Sequence, residues 1–127
     1  MYLVDTNIWL EVLLDQEKST SAYRFLKETD VTMLHLSDFS LYSIGIILIK
    51  LQKSDILKKF VNDISDAGIK IIRLDIRDFD EIIKVAQKYK LDFDDAYQYT
   101  LARKYNLKIV SFDEDFDRTD IERMKLI

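Results

Sequence analysis

The chain reads as an α/β protein, a three-layer α/β/α sandwich whose central sheet is mainly parallel and has four or five strands. Two observations predict this. Short apolar runs alternate with longer stretches of helical period in the order βααβααβααβ, and strands separated by helices pair in parallel with both faces of the sheet covered. The 127 residues also contain no proline, no repeat and no low-complexity linker. Nothing in the composition divides the chain, so residues 1–127 are expected to form a single domain with one α/β architecture.

The elements follow in order. Tyr2-Leu3-Val4 reads as a short buried strand ending at Asp5, and Ile8, Leu10, Val12 and Leu13 fit a first helix. Ser19 or Ser21 caps a second helix running through Lys27, and Thr32 to Leu36 reads as the second strand. Ser37 caps the next helix. From Phe39 to Leu51 the apolar positions go nearly all the way round, which indicates either burial on several sides or an exposed contact face. Ser54 caps a helix over Asp55 to Asp66, where Ile56, Leu57, Phe60, Val61 and Ile64 recur at helical spacing and Gly68 terminates it. Ile69 to Leu74 gives the third strand, and Arg77 to Tyr89 a helix with Phe79, Ile82, Ile83, Ala86 and Tyr89 along one face. A last helix runs from Asp94 or Asp95 to Tyr105, followed by a fourth strand, Ile109 to Phe112. Met124 to Ile127 can add an edge strand.

Composition excludes several classes of function. An apolar fraction of 48% beside 33% charged residues is that of a soluble globular chain. The longest apolar run, Ile46 to Ile49, falls far short of the roughly 20 residues that span a membrane. The start, Met1-Tyr2-Leu3-Val4-Asp5, has no basic region or small-residue cleavage site, so a cytoplasmic protein without membrane association is expected. Absence of cysteine removes disulfides, thiolate metal sites and cysteine nucleophiles together. A formal charge of −4 argues against non-specific coating of nucleic acid, but not against a nuclease, because bound cations reverse the local sign. The two glycines, Gly45 and Gly68, cannot build a phosphate loop. His35, the only histidine, lies between Leu34 and Leu36 in a strand and reads as structural.

The residues that carry chemistry are aspartates. Asp5 closes the first strand, Asp113 closes the fourth, and Asp95 stands where the last helix begins. Ligands of open α/β sheets bind outside the carboxyl ends of the strands, so Asp5 and Asp113 are expected to meet there. Taken singly, each has a plainer role: Asp5 as a helix cap, Asp94 and Asp95 as first-turn acids, Asp113 to Asp120 as a solvated acidic loop around Arg118. Taken jointly they form a site, since carboxylates held close together repel and a cation relieves the repulsion. Hard oxygen donors without cysteine favour Mg2+ or Mn2+ over zinc.

These segments resemble the motifs of the PIN-domain family, particularly the small prokaryotic ribonucleases known as VapC-type toxins. Val4-Asp5-Thr6-Asn7-Ile8-Trp9-Leu10 is similar to the opening motif, with Asp5 as first acid and Thr6 and Asn7 as supporting residues. Leu91 to Tyr99, followed by Ala102, resembles the third motif, in which the aspartate directly before an alanine is the ligand; this selects Asp95 over Asp94. Ile109 to Phe116 resembles the closing motif, with Ser111 as the hydroxyl residue and Asp113 as the final acid. The family's second motif places a glutamate where this chain has Ser43. Asp38, five residues earlier, is turned about 140° away at about 100° per residue and is a poor substitute.

The resemblance implies a ribonuclease that hydrolyses RNA phosphodiester bonds with Mg2+ or Mn2+ bound by Asp5, Asp95 and Asp113, supported by Thr6, Asn7 and Ser111. Asp94, Asp115 and Asp117 are lesser candidates. It also implies the toxin component of a toxin–antitoxin pair, a homodimer, and a small antitoxin partner. The alternative, motivated by Ser43, is a degenerate PIN domain that binds RNA or a protein without cutting. A phosphatase of the haloacid dehalogenase type also begins with a strand-end aspartate, but needs a second acid two residues on, where this chain has Asn7.

Overall fold

Successive side chains of a strand point to opposite faces, and the chain uses that alternation to build two cores, one on each side of a sheet. The computed structural model describes residues 1–127. Its strands are β1 (Tyr2–Val4), β2 (Leu34–Ser37), β3 (Lys70–Ile72), β4 (Lys108–Val110) and β5 (Arg123–Met124). They form one sheet in the order β3-β2-β1-β4-β5, with every pairing parallel. The helices are α1 (Thr6–Leu13), α2 (Ser19–Glu28), α3 (Asp38–Lys50), α4 (Ser54–Ala67), α5 (Phe79–Tyr89) and α6 (Phe93–Lys104).

Leu3 of β1 and Ile109 of β4 are register partners and join Ile82, Val85, Tyr97 and Leu101 of α5 and α6 in one core. The next pair, Val4 and Val110, joins Ile8, Trp9, Ile44, Leu48 and Phe60 of α1, α3 and α4 in the other. This is the expected three-layer sandwich with five strands. Chain order reverses at β1, which is flanked by β2 on one side and β4 on the other. The carboxyl ends of β1 and β4 therefore border the crevice where such sheets bind ligands.

Several element boundaries differ from the sequence reading because a polar side chain outcompetes the backbone ladder. The second strand begins at Leu34 rather than Thr32, because the Asp30 carboxylate accepts from Thr32 N–H at 2.9 Å and from its hydroxyl at 2.8 Å, winding Val31–Met33 into a 3-10 turn. The fourth strand stops at Val110 rather than Phe112. Phe112 N–H donates to Asn7 Oδ1 at 3.1 Å and Asp113 N–H to Ser111 Oγ at 3.0 Å, which turns both amides out of the sheet. The third strand is shortened to Lys70–Ile72, and a capping box between Asp75 and Asp78 sets a 3-10 turn before α5. The edge strand forms at Arg123–Met124 instead of Met124 to Ile127.

Helix α6 begins at Phe93, with Asp92 as its N-cap. Asp95 is thus the third residue of the helix rather than its start. Gly68 ends α4 in the left-handed region, at φ 72°, as the sequence predicts. Helix α3 combines the two readings left open by its all-round apolar pattern. Ser40, Ile44 and Leu48 are buried, while Tyr42, Ile46 and Ile49 are exposed and form an open apolar groove with Leu57 and Val61 of α4. No helix is long and apolar enough to cross a membrane.

Candidate metal centre

The strand ends at the crevice carry polar side chains that hold one another in place. Asp5, directly after β1, is 7% exposed and accepts from Thr6 N–H at 2.8 Å and Gln98 Nε2 at 3.0 Å on Oδ1. Ser111 Oγ donates to its Oδ2 at 2.7 Å. Asn7 Nδ2 lies 3.5 Å from that oxygen, at the outer limit for a hydrogen bond, and donates instead to Ser111 Oγ at 3.0 Å. A carboxylate offers about four lone-pair directions, so Oδ2 keeps one open for a further ligand. Thr6 supports the site through its backbone, while its hydroxyl donates to Ser40 Oγ at 2.8 Å.

Asp95 is brought to the same place from α6 and Asp113 from the loop after β4; with Asp5 and Asp94 they line one cavity of about 530 Å³. No lysine or arginine lines it. The nearest cation, Arg123, lies behind the cavity, where it donates to Ser111 O at 3.1 Å and is gripped by Asp117, and the carboxylates perturb each other accordingly. Burial, the adjacent Asp113 carboxylate, and the charges of Asp94 and Asp5 push the Asp95 carboxyl up to about 8. Burial also raises Asp5, against the lowering effect of its hydrogen bonds from Gln98, Ser111 and Thr6. Carboxyls raised this way by crowding and burial mark a position suited to a cation.

Oxygen atoms of Asp95, Asp113 and Asp115 all lie within 4.8 Å of one another. This trio contains Asp115 in place of Asp5, although Asp115 Oδ1 is already taken by Arg118 Nη2 at 2.6 Å and Asp115 does not line the cavity. Asp5 has the open lone pair and lines the cavity with Asp95 and Asp113, and Asp115 is adjacent to them. Three hard carboxylate oxygens and no soft donor fit Mg2+ or Mn2+. Asp117 is apart from the cluster: Arg123 grips both its oxygens at 2.9 and 2.8 Å, and this pairing lowers its carboxyl below the usual range.

Ser43 of α3 lines the cavity, so the helix face that would present an acid presents a hydroxyl. Asp38 does not line it; its Oδ1 accepts from Tyr97 Oη at 2.7 Å and from Phe39 N–H at 2.7 Å. His35 is buried in β2 outside the cavity. Three residues at the cavity carry no role in the sequence reading: Gln98, Phe39 and Phe93. Gln98, 2% exposed, bridges Asp5 and Ser40, donating to Ser40 Oγ at 2.8 Å. Its place three residues after Asp95, on the same helical face, was the signal that could have found it. Phe39 and Phe93, whose rings also line the cavity, read in sequence as ordinary apolar helix positions.

Fold and site together define an α/β/α protein with an acidic cleft at the point where strand order reverses. The PIN-domain family model matches residues 2–122, and the chain belongs to the PIN-domain family. Solved structures share the fold at low identity. FitAB bound to an IR36 DNA fragment matches with a TM-score of 0.84 and 17% identity, covering 98% of this chain and 94% of that one. VapBC2 from Rickettsia felis bound to a promoter DNA fragment has a TM-score of 0.78 at 15% identity, with coverage of 99% and 98%. Mycobacterium tuberculosis VapC20, described as a toxin that cleaves the sarcin-ricin loop, has a TM-score of 0.75 at 15% identity, with coverage of 95% and 96%. No curated protein matches the chain.

Proposed function

We propose that the protein is a metal-dependent endoribonuclease of the toxin type. The observation that carries this is the convergence of Asp5, Asp95 and Asp113 in one cavity that no lysine or arginine lines, within a PIN-domain fold. Asp5, Asp95 and Asp113 hold Mg2+ or Mn2+ in this reading. A divalent cation, when bound, polarises a phosphate and lowers the pKa of an attacking water. The chain's own contribution is positional. Ser111 and Gln98 fix the orientation of the Asp5 carboxylate, Asn7 ties Ser111 and the backbone of Phe112 to the same network, and such outer partners set ligand geometry. Asp94 at the cavity and Asp115 beside it are lesser participants, and Asp117 is an ion-pair residue.

Incubation of purified protein with end-labelled structured RNA tests this, with Mg2+, Mn2+ or chelator and an Asp5→Asn control. Metal-dependent cleavage leaving 5′-phosphate ends, absent from the control, is expected. Cleavage that persists in chelator or in Asp5→Asn contradicts the assignment.

The departure at Ser43 motivates the second reading, a PIN domain that binds RNA or a protein partner without cutting. Magnesium keeps several waters and often takes only one or two protein carboxylates, so three acids suffice for one ion. Ser43→Glu is therefore expected to change the cleavage rate by less than about tenfold, roughly 1.4 kcal/mol of barrier. A protein that cuts only after this substitution belongs to the non-catalytic reading.

Partners follow from the same proposal. FitAB, VapBC2 and a Klebsiella pneumoniae structure described as a toxin–antitoxin complex are among the structural neighbours, which supports a small antitoxin protein as partner. The exposed apolar groove between α3 and α4 supports a protein contact there, either a second copy of the chain in a homodimer or the antitoxin. A monomer in sedimentation at micromolar concentration counts against the homodimer.

A further inference from the structure

Phe93 opens α6 two residues before Asp95, about 3 Å along the helix axis from it, yet it is 47% exposed. It is not an isolated surface ring. Phe79, 38% exposed, lies 5.9 Å from it between centroids, Phe39 6.2 Å and Tyr97 6.2 Å. Phe39 and Tyr97 are themselves 5.4 Å apart. Tyr97 anchors the group, because its hydroxyl accepts from Leu74 N–H at 2.9 Å and donates to Asp38 Oδ1 at 2.7 Å. The cluster thus has a rigid floor and a partly uncovered outer ring. Phe39 and Phe93 share the cavity of the carboxylates, so the apolar patch and the acidic site form one continuous surface.

We infer that Phe93, backed by Phe39 and Phe79, stacks against an unpaired base of a single-stranded RNA segment lying in the cleft. This rests on the RNA-directed reading above and deepens it. The cavity wall has no lysine or arginine to hold a phosphate chain, so the protein's own side chains there add affinity through contacts other than backbone charge. Base–aromatic stacking supplies one, tolerates any base, and requires a π-face not already covered by a neighbour in a duplex. A cavity of about 530 Å³ is within the range of small-ligand sites and admits a base beside the carboxylates.

The test uses single-stranded oligoribonucleotides carrying 2-aminopurine, whose fluorescence falls on stacking, titrated with full-length protein in Mg2+ or in Ca2+ to slow cleavage. Phe93→Ala is expected to weaken binding about 5- to 150-fold, the loss of one stacked base. Phe93→Leu, which keeps the apolar volume without a π-face, is expected to lose nearly as much, and Phe93→Trp to bind within about twofold of the parent. An abasic residue placed at the quenched position is expected to remove the difference between parent and Phe93→Ala, as coupled partners require. Circular dichroism and thermal midpoints confirm that the variants fold. Equal affinity and quenching in the parent, Phe93→Ala and Phe93→Leu overturn the inference while leaving cleavage untouched. Unchanged RNA affinity with a Phe93-dependent shift in sedimentation overturns it in favour of a protein contact. RNA that binds through Phe93 but is never cut sustains the inference and removes only the nuclease reading.

Discussion

Asp95→Asn is expected to reduce metal-dependent RNA cleavage by well over the about 10- to 100-fold that loss of an outer-shell partner costs, and at the same time to stabilise the metal-free protein. Both effects come from one cause. Burial and the Asp113, Asp94 and Asp5 carboxylates raise the Asp95 carboxyl to about 8, against 3.8 for the ordinary side chain. Between about pH 4 and pH 8 the native state therefore retains a proton that the unfolded chain has released. Stability falls with pH wherever the native state binds more protons, so the metal-free protein loses stability as pH rises through this window and levels off above it. Asparagine removes both the titration and the charge. The thermal midpoint of Asp95→Asn in chelator should exceed that of the parent by several degrees at pH 8, at about 4 °C per kcal/mol for a chain of this size, and the gap should close towards pH 4. Scans across that range check it, and a variant less stable than the parent at pH 8 contradicts the account.

Gln98→Leu is expected to lower apparent metal affinity about 10- to 100-fold. The Gln98 amide nitrogen donates to Asp5 Oδ1 and to Ser40 Oγ, but its Oε1 is buried without a partner. Leucine removes two donated hydrogen bonds and one unsatisfied acceptor, terms of opposite sign and about 1–3 kcal/mol in size. The electrostatic consequence has no such offset. The hydrogen bond from Gln98 is the largest influence holding the Asp5 carboxyl down against burial. Without it the Asp5 carboxyl titrates higher still, and a ligand must lose its proton to bind. The acidic limb of the cleavage profile should move to higher pH, and half-maximal activity should require more Mg2+. An unchanged profile and unchanged Mg2+ dependence would show that Gln98 is a packing residue only.

The sequence carried the sheet, its parallel pairing and the positions of the three acids, because all of these depend on local signals. Leu3 and Val4 need only alternation to reach opposite cores, and Asp5 and Asp113 need only follow their strands. What was not legible depended on partners far along the chain. Gln98 acquires its role from Asp5 and Ser40, 93 and 58 residues away. Asp115 and Asp117 are equivalent members of an acidic loop in sequence; Arg118 and Arg123 separate them in space. The end of the fourth strand was misplaced because Asn7, 105 residues before Phe112, takes its amide. Phe93 was hidden for a different reason: periodicity identifies an apolar position but not whether another element covers it.

The most direct test of the central claim is calorimetric titration of the metal-free protein with Mn2+ at pH 7, in two buffers of different ionisation enthalpy, beside Asp95→Asn. The account predicts one Mn2+ per chain, bound with release of protons from the raised Asp95 and Asp5 carboxyls, and loss of binding in the variant. No binding, or binding that is the same in Asp95→Asn, would contradict a metal centre formed by Asp5, Asp95 and Asp113.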